Sequence, residues 1–198
     1  MIQHILLLFA SWLLLSTAVF AHPRLEKRGN GECENAYKDE EIFSALAGTY
    51  SLINTTTFRD GKQISNKGTP YGEHPVGIIT YSASGWMSAT ITATEPELRP
   101  NLTFPFQPND TDADWALVGK HSLGYAGPYQ VSRELACPNT TYGQLFHGPL
   151  AVANVPSWQG TLQRRNYSVH STVEGKLLRI GSDRGGGNTG ELWWRKVD

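Results

Sequence analysis

Gly124 to Ser132 reads GYAGPYQVS and Glu191 to Val197 reads ELWWRKV, and between them short alternating segments follow one another with turn residues in the gaps. Segments of that kind predict a run of short antiparallel strands. Such a run closes into a small barrel, because closure removes the unpaired edges that an open sheet would leave. The interior of a small barrel is filled by side chains or by one small ligand, so the functional question is what lies inside.

Outward from those two stretches, the predicted strands are Thr49–Thr57, Val76–Tyr81, Trp86–Thr92, Gly124–Ser132, Tyr142–Ala153, Gln159–Val169, Lys176–Gly181 and Glu191–Val197. Asp60-Gly61, Ser82–Gly85 and Gly185–Gly187 supply turns, and Lys62–Pro75 is a polar loop. Prolines 96, 100, 105 and 108 exclude regular structure from Glu95 to Asp110. Thr111–Lys120 opens on Thr and Asp caps and reads as a helix. EEIFSALAG, ending at Gly48, reads as a short helix or turn. The expected fold is therefore all-β, an eight-stranded antiparallel barrel with one short helix before the fourth strand.

Ile5 to Phe20 is an apolar run without charge that ends in Val19, Phe20 and Ala21. It is short for a membrane span and is followed by small residues, so residues 1–21 are expected to be a secretory signal peptide. Lys27-Arg28 reads as a dibasic processing site, which makes 22–28 a propeptide and 29–198 one barrel domain. The net charge of -1 then becomes about -3, since the removed residues carry +2. With no Lys/Arg run after residue 28, nucleic acid is excluded as a partner, and the mature form has no membrane span. The expected location is secreted, extracellular.

In an oxidising compartment the two cysteines, Cys33 and Cys137, are expected to form one disulfide. Neither has a neighbour at zinc-ligand spacing, so no metal is expected. Asn54, Asn101, Asn109, Asn139 and Asn166 each begin an Asn-x-Ser/Thr sequon and are candidate glycosylation sites. Nucleophile elbows, phosphate loops and paired-carboxylate signatures are missing from the sequence, and no cofactor is expected.

LAGTY (46–50), HPVGIITYSASGWMSA (74–89), GYAGPYQV (124–131), VPSWQGTLQRR (155–165), EGKLLRIG (174–181) and LWWR (192–195) together resemble the lipocalin-like domain family, a calycin-type barrel, in its fungal secreted members. Two departures stand out. Tyr50 occupies a position where members carry Trp, and the histidine that members carry near Gly148 or Pro149 is here His147. The resemblance implies an eight-stranded barrel around a pocket for a small hydrophobic molecule, with an arginine of the last strand closing one end. Tyr50 and Arg195 are placed for a stacked cation and ring in that role.

Side chains alternate across a strand, so if Asn166 carries a glycan, Gln163, Arg165 and Tyr167 face inward. The other parity puts Leu162 and Arg164 inside. The family pattern at 163 and 165 agrees with the first. A buried arginine needs a partner, either a carboxylate or a ligand oxygen. Tyr125, Gly127, Tyr129 and Val131 share one face, with Gly127 leaving space, and Ile79, Tyr81 and Trp86 lie beside one another. These aromatics read equally as pocket lining or as core. His147 precedes the Gly148-Pro149 interruption, which places it at a bulge near a rim. The candidate ligand-binding residues are thus Tyr81, Trp86, Tyr125, Tyr129, His147, Gln163 and Arg165.

Three functions fit. One is a binding module for a small hydrophobic molecule. Another is a secondary-metabolism enzyme, a cyclase, isomerase or dehydratase, acting on a polyketide or terpenoid in the same pocket. The third is an interaction protein with a solid barrel. Internal volume separates the third from the first two.

Overall fold

The computed structural model describes residues 37–134 and 137–198. The signal peptide at 1–21, the propeptide at 22–28 and Cys33 lie outside the described residues.

Ten strands form one antiparallel sheet: β1 (Gly48–Arg59), β2 (Lys62–Ile64), β3 (Val76–Tyr81), β4 (Trp86–Thr92), β5 (Ser122–Ser132), β6 (Tyr142–His147), β7 (Val152–Ala153), β8 (Gln163–Thr172), β9 (Gly175–Asp183) and β10 (Asn188–Lys196). Eight of them follow the order β1-β3-β4-β5-β6-β8-β9-β10, and β10 pairs back onto β1 from Tyr50↔Lys196 to Arg59↔Asn188. The barrel is closed and runs up and down. β2 extends the hairpin after β1, and β7 is a short piece on β5.

Two helices accompany the barrel: the one expected before the fourth predicted strand, and a second where EEIFSALAG was read as a short helix or turn. α2 (Asp112–Lys120) precedes β5, and its Thr111 cap accepts the Asp114 N–H at 3.2 Å. α1 (Asp39–Leu46) carries Asp39, Glu40 and Glu41 in its first turn, where they complement the helix dipole. Ile42 and Leu46, four residues apart, are both fully buried. Phe43 packs against Tyr129 with the rings tilted and their centroids 4.5 Å apart, the Leu46 carbonyl accepts the Tyr50 hydroxyl at 2.9 Å, and the Ala45 carbonyl accepts Lys176 Nζ at 3.0 Å. By touching β1, β5 and β9 at once, α1 plugs the end where β1 begins.

Several expected boundaries shift for local reasons. The strand predicted over Tyr142–Ala153 breaks after His147, because Gly148 has φ +123° and Pro149 lacks the N–H a strand would need. The chain then re-enters the sheet as β7. The following strand begins at Gln163, after a single 3-10 turn at Pro156–Trp158, and another such turn at Pro96–Leu98 interrupts the proline-rich loop. Gly127 leaves no free space: an added Cβ would lie 3.0 Å from the backbone of Pro149 to Ala151, which crosses there.

The expected Tyr50–Arg195 closure is corrected by parity. Tyr50 points into the core and is fully buried, whereas Arg195 pairs with Ser51 on the outer face and forms an ion pair with Glu174 at 2.9 Å. A bulge at Ile53 shifts the alternation of β1 so that Asn54 faces outward opposite Trp193.

Beneath α1 the barrel is solid, packed with Tyr50, Tyr81, Met87, Tyr129, Leu145 and Leu178. Full burial of each large apolar side chain contributes roughly 1.5–3 kcal/mol. The other end is hollow.

Candidate functional site

The hollow end is a cavity of about 470 Å³. Its walls come from alternating positions of consecutive strands: Ile79 on β3, Ala89 and Ile91 on β4, Leu123 on β5, Ile180 on β9 and Leu192 on β10. Trp194 forms part of the wall toward the solid half, and its Nε1 is buried without a hydrogen-bond partner among the described residues. Against these walls stand three polar side chains deep in the lining, Tyr125, Gln163 and Arg165.

Arg165 is 9% exposed. Its Nη1 donates to the Arg164 carbonyl at 2.7 Å and its guanidinium lies over the Trp158 ring, 5.7 Å from the centroid. Among the described residues the ion pairs join Arg133 to Asp39, Arg164 to Glu134, Arg179 to Glu191, Arg195 to Glu174 and Lys196 to Asp198. Arg165 takes part in none of them. Burying a guanidinium without a counter-charge costs several kcal/mol, and the remaining donors of this fork stand on the cavity lining.

Behind the wall lies His147, fully buried, with Nε2 2.8 Å from the Tyr81 hydroxyl and Nδ1 3.3 Å from the Tyr125 hydroxyl. Burial, and secondarily the charge of Arg165, push the imidazole well below its ordinary value of 6.5, so it is neutral at physiological pH. Burial likewise raises the Tyr81 hydroxyl well above 10, with neighbouring Tyr125 adding to it.

The mouth is shaped by loops. Pro70 and Tyr71 hang over it from the segment after β2, Trp158 borders it from the 3-10 turn before β8, and Asp183 at the end of β9 and Arg184 in the turn after it form another edge. Glu95 ties down the first of these loops by accepting the N–H groups of Glu73 at 2.6 Å and His74 at 3.0 Å, and its pKa is lowered first by its own backbone N–H and then by that of His74. His121 Nδ1 meets the Pro70 carbonyl at 2.6 Å.

The residues singled out in sequence therefore separate by height and face. Tyr125, Gln163 and Arg165 line the cavity. Tyr81 and Tyr129 face inward but belong to the solid half under α1, and His147 stands behind Tyr125. Trp86 is 54% exposed, because β4 turns Met87, Ala89 and Ile91 inward and leaves Trp86 on the outer face. Leu162 and Arg164 are exposed while Arg165 and Tyr167 are buried. Sequence reasoning did not name Tyr71, Trp158 or Arg184 as site residues, although Trp158 lies in the VPSWQGTLQRR block that carries the family resemblance and Tyr71 is an aromatic in a Pro/Gly loop.

Of the sequons, Asn54, Asn101 and Asn109 are exposed. Asn139 is half-buried, its side-chain oxygen accepting the N–H groups of Thr141 and Tyr142, and Asn166, also half-buried, accepts Gln144 Nε2 at 2.9 Å. Among the described residues no cysteine is a free thiol, no group of three or more acidic, His or Cys side chains is arranged for a metal, and no helix is long and apolar enough to cross a membrane.

A closed eight-stranded barrel, plugged at one end and hollow at the other, defines a calyx-type barrel. The chain belongs to the lipocalin-like domain family, whose sequence model matches residues 47–197. No curated protein and no solved structure matches it.

Proposed function

We propose that this protein is a secreted binding protein that holds a small hydrophobic molecule in its barrel, with Arg165 as the polar anchor. The observation that carries the reading is a buried guanidinium with no carboxylate partner among the described residues, set in the wall of an apolar cavity of about 470 Å³. Cavities of this size suit small ligands, and a few convergent polar groups fix their orientation. The supporting frame is a signal peptide at 1–21, a propeptide at 22–28 removed along a fungal-type secretory route, a Cys33–Cys137 disulfide and glycans at the exposed sequons.

The cavity counts against an interaction protein with a solid barrel. A biosynthetic enzyme working in the same pocket is favoured by one observation, the buried Tyr81–His147–Tyr125 chain that ends at the cavity wall. The test is solvent extraction of the natively secreted protein followed by mass spectrometry. A single apolar species at near-stoichiometric amount supports the binding reading, and conversion of that species on incubation with fresh protein supports the enzyme instead. Protein that is folded and empty, and stays empty when exposed to apolar extract, contradicts both.

A further inference from the structure

The hydroxyl of Tyr81 is fully enclosed, and among the described residues its hydrogen-bond partner is His147 Nε2 at 2.8 Å. A neutral imidazole has one N–H and one bare nitrogen. If Nε2 carried the proton it would donate to Tyr81, and the Tyr81 proton would have no acceptor in the core. If Nδ1 carries it, Tyr81 donates to Nε2 and Nδ1 donates to Tyr125, whose own proton is then free to point at the cavity that Tyr125 lines. An unsatisfied buried hydroxyl is costly enough to favour the second arrangement roughly ten-fold or more. His147 remains neutral throughout, because burial opposes its charging.

Tyr125 and Arg165 also converge in space. Both touch Trp158, the Tyr125 ring edge-on at 5.6 Å between centroids and the Arg165 guanidinium at 5.7 Å. The polar lining also includes Gln163, whose amide donates to Thr161 Oγ1 at 2.9 Å, and half-buried Ser182 on β9. The carboxylate on the lining, Asp183, lies out at the exposed rim, where it accepts the Gly185 N–H. Deep in the cavity a hydroxyl and a guanidinium are thus both presented as donors.

We infer that Tyr125 and Arg165 form a paired donor anchor for the carboxylate of an apolar acid, and that His147 and Tyr81 are positioning residues that hold the Tyr125 proton toward the ligand. The inference deepens the binding reading above and rests on it. A carboxylate offers only acceptors and carries the charge that Arg165 lacks as a partner, whereas an alcohol brings a proton of its own and no charge. Charge-assisted bonds from both residues favour the acid over the alcohol of equal chain length by about a hundred-fold.

Two measurements on the full mature protein test this. The first is the imidazole ¹⁵N spectrum at pH 7.5, in which His147 is expected as the Nδ1–H tautomer. The second is calorimetric titration with decanoate and with decanol. Wild type is expected to prefer decanoate, Tyr125→Phe to bind decanoate about ten-fold more weakly with decanol little changed, and Tyr81→Phe to weaken decanoate as well while its His147 signals shift toward a mixture of tautomers. Tyr81→Phe alters no cavity-lining group, so loss there together with a tautomer change distinguishes positioning from packing. An Nε2–H or doubly protonated His147 in a wild type that binds decanoate overturns the inference alone, as does a Tyr125→Phe protein that binds decanoate normally. A folded wild type that binds neither probe overturns the binding reading and the ligand assignment with it.

Discussion

The guanidinium of Arg165 lies 5.7 Å from the centroid of Trp158, and that contact is its one favourable side-chain interaction among those described. Cation–ring contacts of this kind contribute roughly 0.5–2 kcal/mol, less than the several kcal/mol that desolvating an unpaired charge costs. Arg165→Met is therefore expected to raise the stability of the ligand-free protein by about 1–3 kcal/mol while weakening the binding of an apolar acid at least about ten-fold. Thermal denaturation and fluorescence titration read the two effects separately. Unchanged affinity in a folded variant contradicts the anchor role.

The two halves of the barrel predict different costs for the same truncation. Leu178 is fully enclosed in the solid half, so Leu178→Ala removes contacts on every side and is expected to cost about 2–5 kcal/mol. Leu123 already faces the cavity, and Leu123→Ala enlarges an existing space, so its cost is expected below about 2 kcal/mol. Urea denaturation of the two variants checks the order. Equal losses would mean the cavity is collapsed in solution.

Acid stability follows from His147. Its folded pKa is depressed below 6.5, so the unfolded chain takes up a proton that the folded one refuses. The stability it contributes is complete above pH 6.5 and declines below that by about 1.4 kcal/mol per pH unit until the folded pKa is reached. His170, lowered by burial and then by Arg179, acts in the same direction. His147→Gln should reduce the slope of urea stability against pH between 6.5 and 5 by about one proton, and an unaltered slope would count against a buried neutral imidazole. At the alkaline end, burial pushes Tyr50 up to about 12, so its contribution is complete below pH 10 and fades as pH rises toward 12.

How much of this was readable in the sequence depended on whether a feature is local. The Val76–Tyr81 and Trp86–Thr92 pair was legible because a tight turn separates two alternating runs, and the inward set of Gln163, Arg165 and Tyr167 because strand parity is a local rule. Parity gives the face but not the height. Tyr129 and Tyr125 are four residues apart on one face of β5, yet one packs against α1 and the other lines the cavity. That difference is set by where α1 docks and how the strands stagger, both non-local. Trp86 was misplaced because it was read from its nearness to Tyr81 across the turn, although the alternation of Met87, Ala89 and Ile91 groups it with Ser88 and Thr90 on the outer face, and the Ile53 bulge is invisible in a run of Thr and Asn. The Tyr81–His147–Tyr125 chain joins three strands and has no signature along any one of them.

The cysteines give a prediction independent of the cavity. A Cys33–Cys137 bridge closes a loop of roughly a hundred residues, and its reduction is expected to lower stability by roughly 4 kcal/mol. The unfolded, unreduced protein should show no reactive thiol. Two reactive thiols would exclude the bridge.

The central claim is a hollow barrel whose lumen takes an apolar guest, and it is tested most directly by titrating 8-anilinonaphthalene-1-sulfonate, an apolar anion, into wild type and into an Ala89→Phe variant. Ala89 is a buried lining residue, so a ring there fills the space without touching the outer surface. Saturable one-to-one binding in wild type, and its loss in a variant with unchanged circular dichroism, is the expected result. Equal binding by both folded proteins would place the guest outside the lumen and contradict the account.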